Sequence, residues 1–160
     1  MKVEFAFEFH EVADGLYVGP CPNSPERIRQ MKSQGLTGVV SVQTDEDLHA
    51  MGMNYPLLWK FLMGQGFSCH RHPIEDFNQR ALTAQLDHAV ALVHDLRRAG
   101  RPTYLHCTAG VNRSPTVAIA YLIQHQNMSL EDAWEQVTTR RPSVPNRLAL
   151  ERWLAIKVKS

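Results

Sequence analysis

The sequence has no surplus of charge of either sign: 17 Lys and Arg stand against 16 Asp and Glu, for a net +1. That balance offers no basic face for nucleic acid and no general attraction to an anionic membrane. Cysteine is scarce and odd in number. The three lie far apart at Cys21, Cys69 and Cys107, which excludes a disulfide framework and suits a reducing, cytoplasmic setting. No apolar run approaches the roughly 18 residues that a membrane helix needs. Segment 1–10 alternates Phe with Glu and lacks the apolar stretch of a secretory signal. No repeat, low-complexity tract or linker interrupts the chain. What remains is ordinary globular composition, 44% hydrophobic and 21% charged, which excludes disorder, collagen and coiled coil. The 160 residues suit one core, so a single domain over 1–160 is expected.

Short apolar runs alternate with longer periodic ones, the pattern of an α/β fold. Segments 16–18, 39–42, 67–72 and 103–106 read as strands. Ser24 and Pro25 start a helix that Gly35 stops. Leu82, Leu86, Ala89, Val90, Val93 and Leu96 share one helical face, closed by Gly100. Further helices are expected over 114–126, from Ser129 with Asp132 as a capping partner, and over 146–157. Segment 45–66 is the least regular, with a short helix near 57–63. The Phe5, Phe7, Phe9 alternation reads as an edge strand with one buried face.

The informative segment is His106-Cys107-Thr108-Ala109-Gly110-Val111-Asn112-Arg113-Ser114-Pro115. A cysteine ends a buried strand, a short loop containing glycine follows, and an arginine opens a helix. Such a loop turns its N–H groups inward as an anion nest, with the helix N-terminus aimed at the same point. The same field stabilises a thiolate. Arg113 can return to the mouth of the loop and hold two phosphate oxygens. Attack on a phosphate monoester would then give a phosphocysteine. The leaving oxygen needs a proton, and Asp76 is the candidate acid, in a loop expected at the same sheet edge. Glu75 competes for that role. Ser114 can donate to the sulfur as it leaves, and His106 stands behind the thiol.

Residues 106–114 reproduce the HCxxGxxR[ST] signature, and the chain resembles the cysteine-dependent protein tyrosine phosphatase superfamily in its dual-specificity branch. The resemblance implies a central, mostly parallel sheet flanked by helices, and no metal or cofactor. It implies Cys107 as nucleophile, Arg113 as phosphate-binding residue, Ser114 as the hydroxyl of the hydrolysis step and Asp76 as general acid. Thr108, Ala109, Gly110, Val111 and Asn112 would line the phosphate with Arg113. A narrower likeness runs upstream. Val18-Gly19-Pro20-Cys21, the Ser24-Pro25-Glu26 helix start and Val42 through Leu48 are similar to plant starch (glucan) phosphatases, as is the Asp76-Phe77 pair. Those enzymes usually have Gly where Asn112 stands here. The implied substrate is a phosphoprotein or, alternatively, a phosphoglucan, with no nucleic acid or membrane partner.

Other features have plainer readings. Cys69 and Cys21 read as core filler, with Cys69 alternatively a resolving thiol for Cys107. The eight histidines give no zinc-ligand set. Phe77 beside the acid is a candidate platform for a substrate ring; Trp59 and Phe61 are either core or part of that platform. Arg140-Arg141 either complements a helix end or attracts anionic substrate. Two rival functions share a cysteine-bearing anion loop: a non-catalytic phosphate-binding module and a rhodanese-like sulfur carrier. Cys107, Arg113 and Asp76 together argue against both.

Overall fold

The computed structural model describes residues 6–159, so Phe5 lies outside the described residues. Five strands form its sheet: β1 (His10–Ala13), β2 (Leu16–Gly19), β3 (Gly38–Ser41), β4 (Ser68–Arg71) and β5 (Thr103–His106), in the order β1-β2-β5-β3-β4. β1 runs antiparallel to β2, and the other pairings are parallel. Between and after the strands come α1 (Pro25–Ser33), α2 (Asp45–Ala50), α3 (Tyr55–Gly64), α4 (Gln79–Arg98), α5 (Arg113–Gln126), α6 (Leu130–Arg140) and α7 (Arg147–Lys159). No described helix is long and apolar enough to cross a membrane.

Alternation along each strand assigns the two faces of the sheet. Val18, Val40 and Leu105 enter a core with α4, α5, α6 and α7, whereas Val39 and Tyr104 pack with Ile28, Met31, Leu58 and Leu62 of α1 and α3. The α4 stripe is the one the periodicity predicts, Leu82 to Leu96. Each of its larger buried side chains contributes roughly 1.5–3 kcal/mol, and Leu86→Asp would set an unpaired carboxylate in the middle of it. Ser24 caps α1 by accepting from the Arg27 N–H, with Pro25 in the first turn. Ser129 caps α6 through the Asp132 N–H.

Two expectations need correcting. The short helix expected near 57–63 is α3, but segment 45–66 is more regular than expected because it also holds α2. α2 has only 6 residues, too few for periodicity to reveal, and a capping box between Thr44 and Asp47 starts it. The edge strand is His10–Ala13 rather than the phenylalanine run. Phe7 and Phe9 precede it and pack their rings against Tyr104, so burial of the rings, not strand pairing, organises that segment.

Register then sets the site. His106 pairs with Gly19 on one side and Ser41 on the other, and Ser41 pairs with Arg71. Strands β2, β5, β3 and β4 therefore end level. The loops after them meet at the carboxyl edge, where α/β sheets bind ligands.

Candidate active site

Loop 107–112 leaves β5 and enters α5 without a side-chain cap: Asn112 stands at the N-cap position and its side chain makes no capping bond. The first-turn N–H groups of α5 are left to a ligand, and the helix dipole favours an anion there. Gly110 takes φ +69, and a Cβ on it would lie 2.5 Å from the Gly19 backbone. Only glycine lets the loop turn this close to β2.

Cys107 is 3% exposed, and its Sγ lies 3.2 Å from Ser114 Oγ. Against a thiolate, that hydroxyl is the donor. Arg113, the first residue of α5, is buried, and Nη1 is committed to the fold. It donates to Asp47 Oδ2 at 2.7 Å and to the Ile74 carbonyl at 2.8 Å. The other edge of the guanidinium is loosely held. Nη2 makes a 3.3 Å bond to Thr108 Oγ1. Nε lies 3.2 Å from Asp76 Oδ1 but lacks hydrogen-bond geometry, so this buried donor is unsatisfied. Nε and Nη2 together are thus open to two oxygens of one phosphate.

The surrounding groups fix this arrangement. Burial alone would raise the Asp47 carboxyl, but donation from Arg113 and from the Thr44 N–H outweighs it and holds Asp47 below the usual carboxylate range. Without such a carboxylate, a buried guanidinium costs several kcal/mol. His106 is fully buried and its Nδ1 donates to the Cys107 carbonyl at 3.0 Å. Burial pushes its pKa down to about 4 against the smaller opposing effect of that bond. Neutral at pH 7, His106 tethers the start of the loop rather than charging it. Gln43 Nε2 donates to Thr108 Oγ1 at 3.0 Å from the loop after β3.

A family model described as "Dual specificity phosphatase, catalytic domain" matches residues 16–159. The chain belongs to this family. The amyloplastic phosphoglucan phosphatase DSP4 of Castanea sativa is 27% identical over 150 residues, 92% of this chain and 40% of the relative. Dual specificity protein phosphatase 2 of Mus musculus is 28% identical over 131 residues, 82% of this chain and 37% of the relative. The chain therefore spans about two fifths of the length of these relatives. The human tyrosine phosphatase-like serine/threonine/tyrosine-interacting protein matches in fold, with a TM-score of 0.77 at 21% identity, over 96% of this chain and 99% of that one.

In this dual specificity phosphatase domain the loop after β4 brings Asp76 to Arg113, while Glu75 is exposed and accepts from Asn78 Nδ2. Phe77 is 93% exposed, with φ 55, a left-handed backbone that a large side chain rarely adopts. Trp59 is 46% exposed rather than core, because Leu58 and Leu62 take the buried face of α3; Phe61 packs half-buried on the α1–α3 cluster. The buried filler is Cys21, whose thiol burial pushes up to about 12. Cys69 is half-buried on β4, with its thiol pushed up to about 11. It aligns with Val39 and, through it, Tyr104. Two strand spacings and three residues then separate it from Cys107, roughly 14 Å between Cα atoms, well beyond disulfide reach.

One residue of the site escapes sequence reasoning, and a second is read there only as an alternative. Asp47 carried a signal in the Thr44-to-Asp47 capping box, which marks a helix start but not its partner Arg113. Arg141 reads with Arg140 as a helix-end cation or an attractor of anionic substrate, and neither reading places it on the loop carbonyls. Arg140 is exposed as a helix-end cation should be, but Arg141 is 6% exposed and bonds the carbonyls of Gly110 and Ala109.

Proposed function

We propose that this domain hydrolyses phosphate monoesters in two steps through a phosphocysteine. The observation that carries the reading is the unfilled Nε–Nη2 edge of Arg113, next to the loop whose first residue, Cys107, already meets Ser114. In the first step the Cys107 thiolate attacks phosphorus and the bond to the leaving oxygen breaks. Asp76 gives that oxygen a proton. The N–H groups of Thr108 to Asn112 and the Arg113 fork hold the remaining phosphate oxygens. In the second step water attacks the phosphocysteine, Asp76 takes its proton, the S–P bond breaks and Ser114 donates to the departing sulfur. The Asp76–Arg113 contact puts this carboxyl at the cradle: a phosphate that fills the Nε–Nη2 edge takes Asp76 off the guanidinium, and the negative charge of that phosphate favours the protonated acid. The proton given up in the first step is regained from water in the second.

A phosphorylated protein side chain is the substrate read first, supported by the family description and the mouse relative. Asn112 adds support, since glucan-acting enzymes usually have Gly there. A phosphoglucan is the second reading, favoured by the chestnut relative and the Asp76-Phe77 pair. The exposed Phe77 ring suits the face of either a phenol or a hexose. A reducing, cytoplasmic setting belongs to the same proposal, because Cys107 acts only as a free thiolate.

Phosphate release from a phosphotyrosine peptide and from phosphorylated amylopectin, with Cys107→Ser as the blank, tests the reading. Release from the peptide is expected. Preferential release from the glucan favours the second substrate, and release from neither with Cys107 reduced overturns the activity itself.

A further inference from the structure

The family match begins at residue 16, yet the phosphate cradle is tied to chain that precedes it. The tie is Arg141. Its Nε donates to the Gly110 carbonyl at 2.7 Å and its Nη2 to the Ala109 carbonyl at 3.1 Å. Its Nη1 donates to the Glu8 carbonyl at 2.9 Å and to His10 Nδ1 at 3.0 Å. In a trans peptide the C=O and the following N–H point opposite ways. Holding these two carbonyls on Arg141 therefore turns the N–H groups of Gly110 and Val111 to the other side of the loop, where an anion would sit. A Cβ on Gly110 would lie 2.7 Å from an Arg141 nitrogen, so loop and guanidinium are packed as one unit.

Arg141 differs from Arg113 in a second way. Arg113 is met by the carboxylates of Asp47 and Asp76. Among the described residues no carboxylate pairs with Arg141; its partners are three carbonyls and an imidazole. The Glu8 carboxylate acts on it only through space, so no direct ion pair ties up its charge and its field still reaches an anion in the cradle.

We propose that Arg141 is a positioning residue of the phosphate cradle and that Glu8 and His10, upstream of the family match, complete its cage. The proposal rests on Cys107 and its loop being the phosphate site. His10 accepts from Arg141 through Nδ1, so it works only as the neutral ring. Arg141 from the end of α6 and Glu8 from its own segment are the charged groups that act on it, and the Tyr17 phenol lines the same cavity. Burial first, then Arg141, lowers the His10 pKa, while Glu8 raises it.

The test compares His10→Leu and His10→Asn with the unmodified chain, reading kcat and KM on p-nitrophenyl phosphate and the inhibition constant for inorganic phosphate. His10→Leu removes the acceptor; KM and the phosphate constant should rise together by about tenfold, with a smaller change in kcat. His10→Asn restores an acceptor that does not titrate. It should bind phosphate as tightly as the unmodified chain at pH 7 and hold that affinity as the pH falls past the ordinary imidazole range, where the unmodified chain weakens. A merely structural role for His10 would not separate the two variants in this way. Unchanged phosphate affinity in His10→Leu, or the same acid weakening in His10→Asn, overturns the proposal. If the unmodified chain hydrolyses nothing, the activity reading fails instead, and calorimetric titration of inorganic phosphate still decides the cage.

Discussion

Asp76 and Arg113 are in ion-pair contact, Oδ1 to Nε at 3.2 Å, yet the Nε–H has no hydrogen-bond acceptor. The contact stores an unfilled donor at the one edge of the guanidinium that Asp47 does not hold. Phosphate is the better partner for that edge, because its oxygens match the fork. Asp76 is then left as a carboxyl at the mouth of the cradle.

Asp76→Asn should cut turnover far more on an alkyl phosphate than on p-nitrophenyl phosphate, because an activated phenoxide leaves with little need of a proton. The steady-state rates on both substrates check this. Equal losses on the two would remove Asp76 from the acid role.

Asp47 does different work on the same guanidinium. Asp47→Asn takes away the charge that holds Arg113 Nη1 at 2.7 Å, so the fork loses its aim and the buried cation its neutralising partner. The expected loss in kcat/KM is about 10- to 100-fold, together with a lower Tm. A variant with unchanged kinetics would mean that the Ile74 carbonyl alone suffices to hold the side chain.

These two acids also mark what could be read from the sequence. Cys107, Arg113 and Ser114 are legible because one contiguous loop and one helix start carry them. Asp76 is legible because a loop after a parallel strand must surface at the same edge. Asp47 and Arg141 act across the fold, one from a 6-residue helix and one from the end of α6. No local pattern names their partners. The same limit hid β1, since its pairing with β2 is a tertiary fact, while the louder Phe7 and Phe9 alternation served ring packing.

Phe77 holds a strained backbone for an exposed ring. Phe77→Gly removes the strain, worth about 1 kcal/mol, although a freer unfolded chain offsets part of that gain. Stability should therefore hold or rise slightly while KM rises several-fold. Thermal melts beside substrate titrations check this, and a fall in Tm with unchanged KM would make Phe77 structural.

His106 makes a stability prediction with a definite sign. Its pKa is about 4 when folded, against 6.5 for the free group. Below pH 6.5 the unfolded chain takes up a proton that the folded chain refuses. Stability should therefore fall as the pH drops from 6.5 toward 4, by about 3 kcal/mol in all. His106→Asn, which keeps a donor for the Cys107 carbonyl, should flatten that slope. Denaturant melts across this window decide it, and an equal slope in the variant would assign the loss to other groups.

The most direct test is mass spectrometry of the acid-quenched enzyme during turnover of p-nitrophenyl phosphate. A phosphoryl group should appear on Cys107 and accumulate in Ser114→Ala, because Ser114 stands 3.2 Å from the sulfur that must leave in the second step. Cys107→Ser should carry none and release no phosphate. Phosphate release by Cys107→Ser at an undiminished rate, or turnover in the unmodified chain with no phosphoryl group on Cys107 in either active form, would contradict the account.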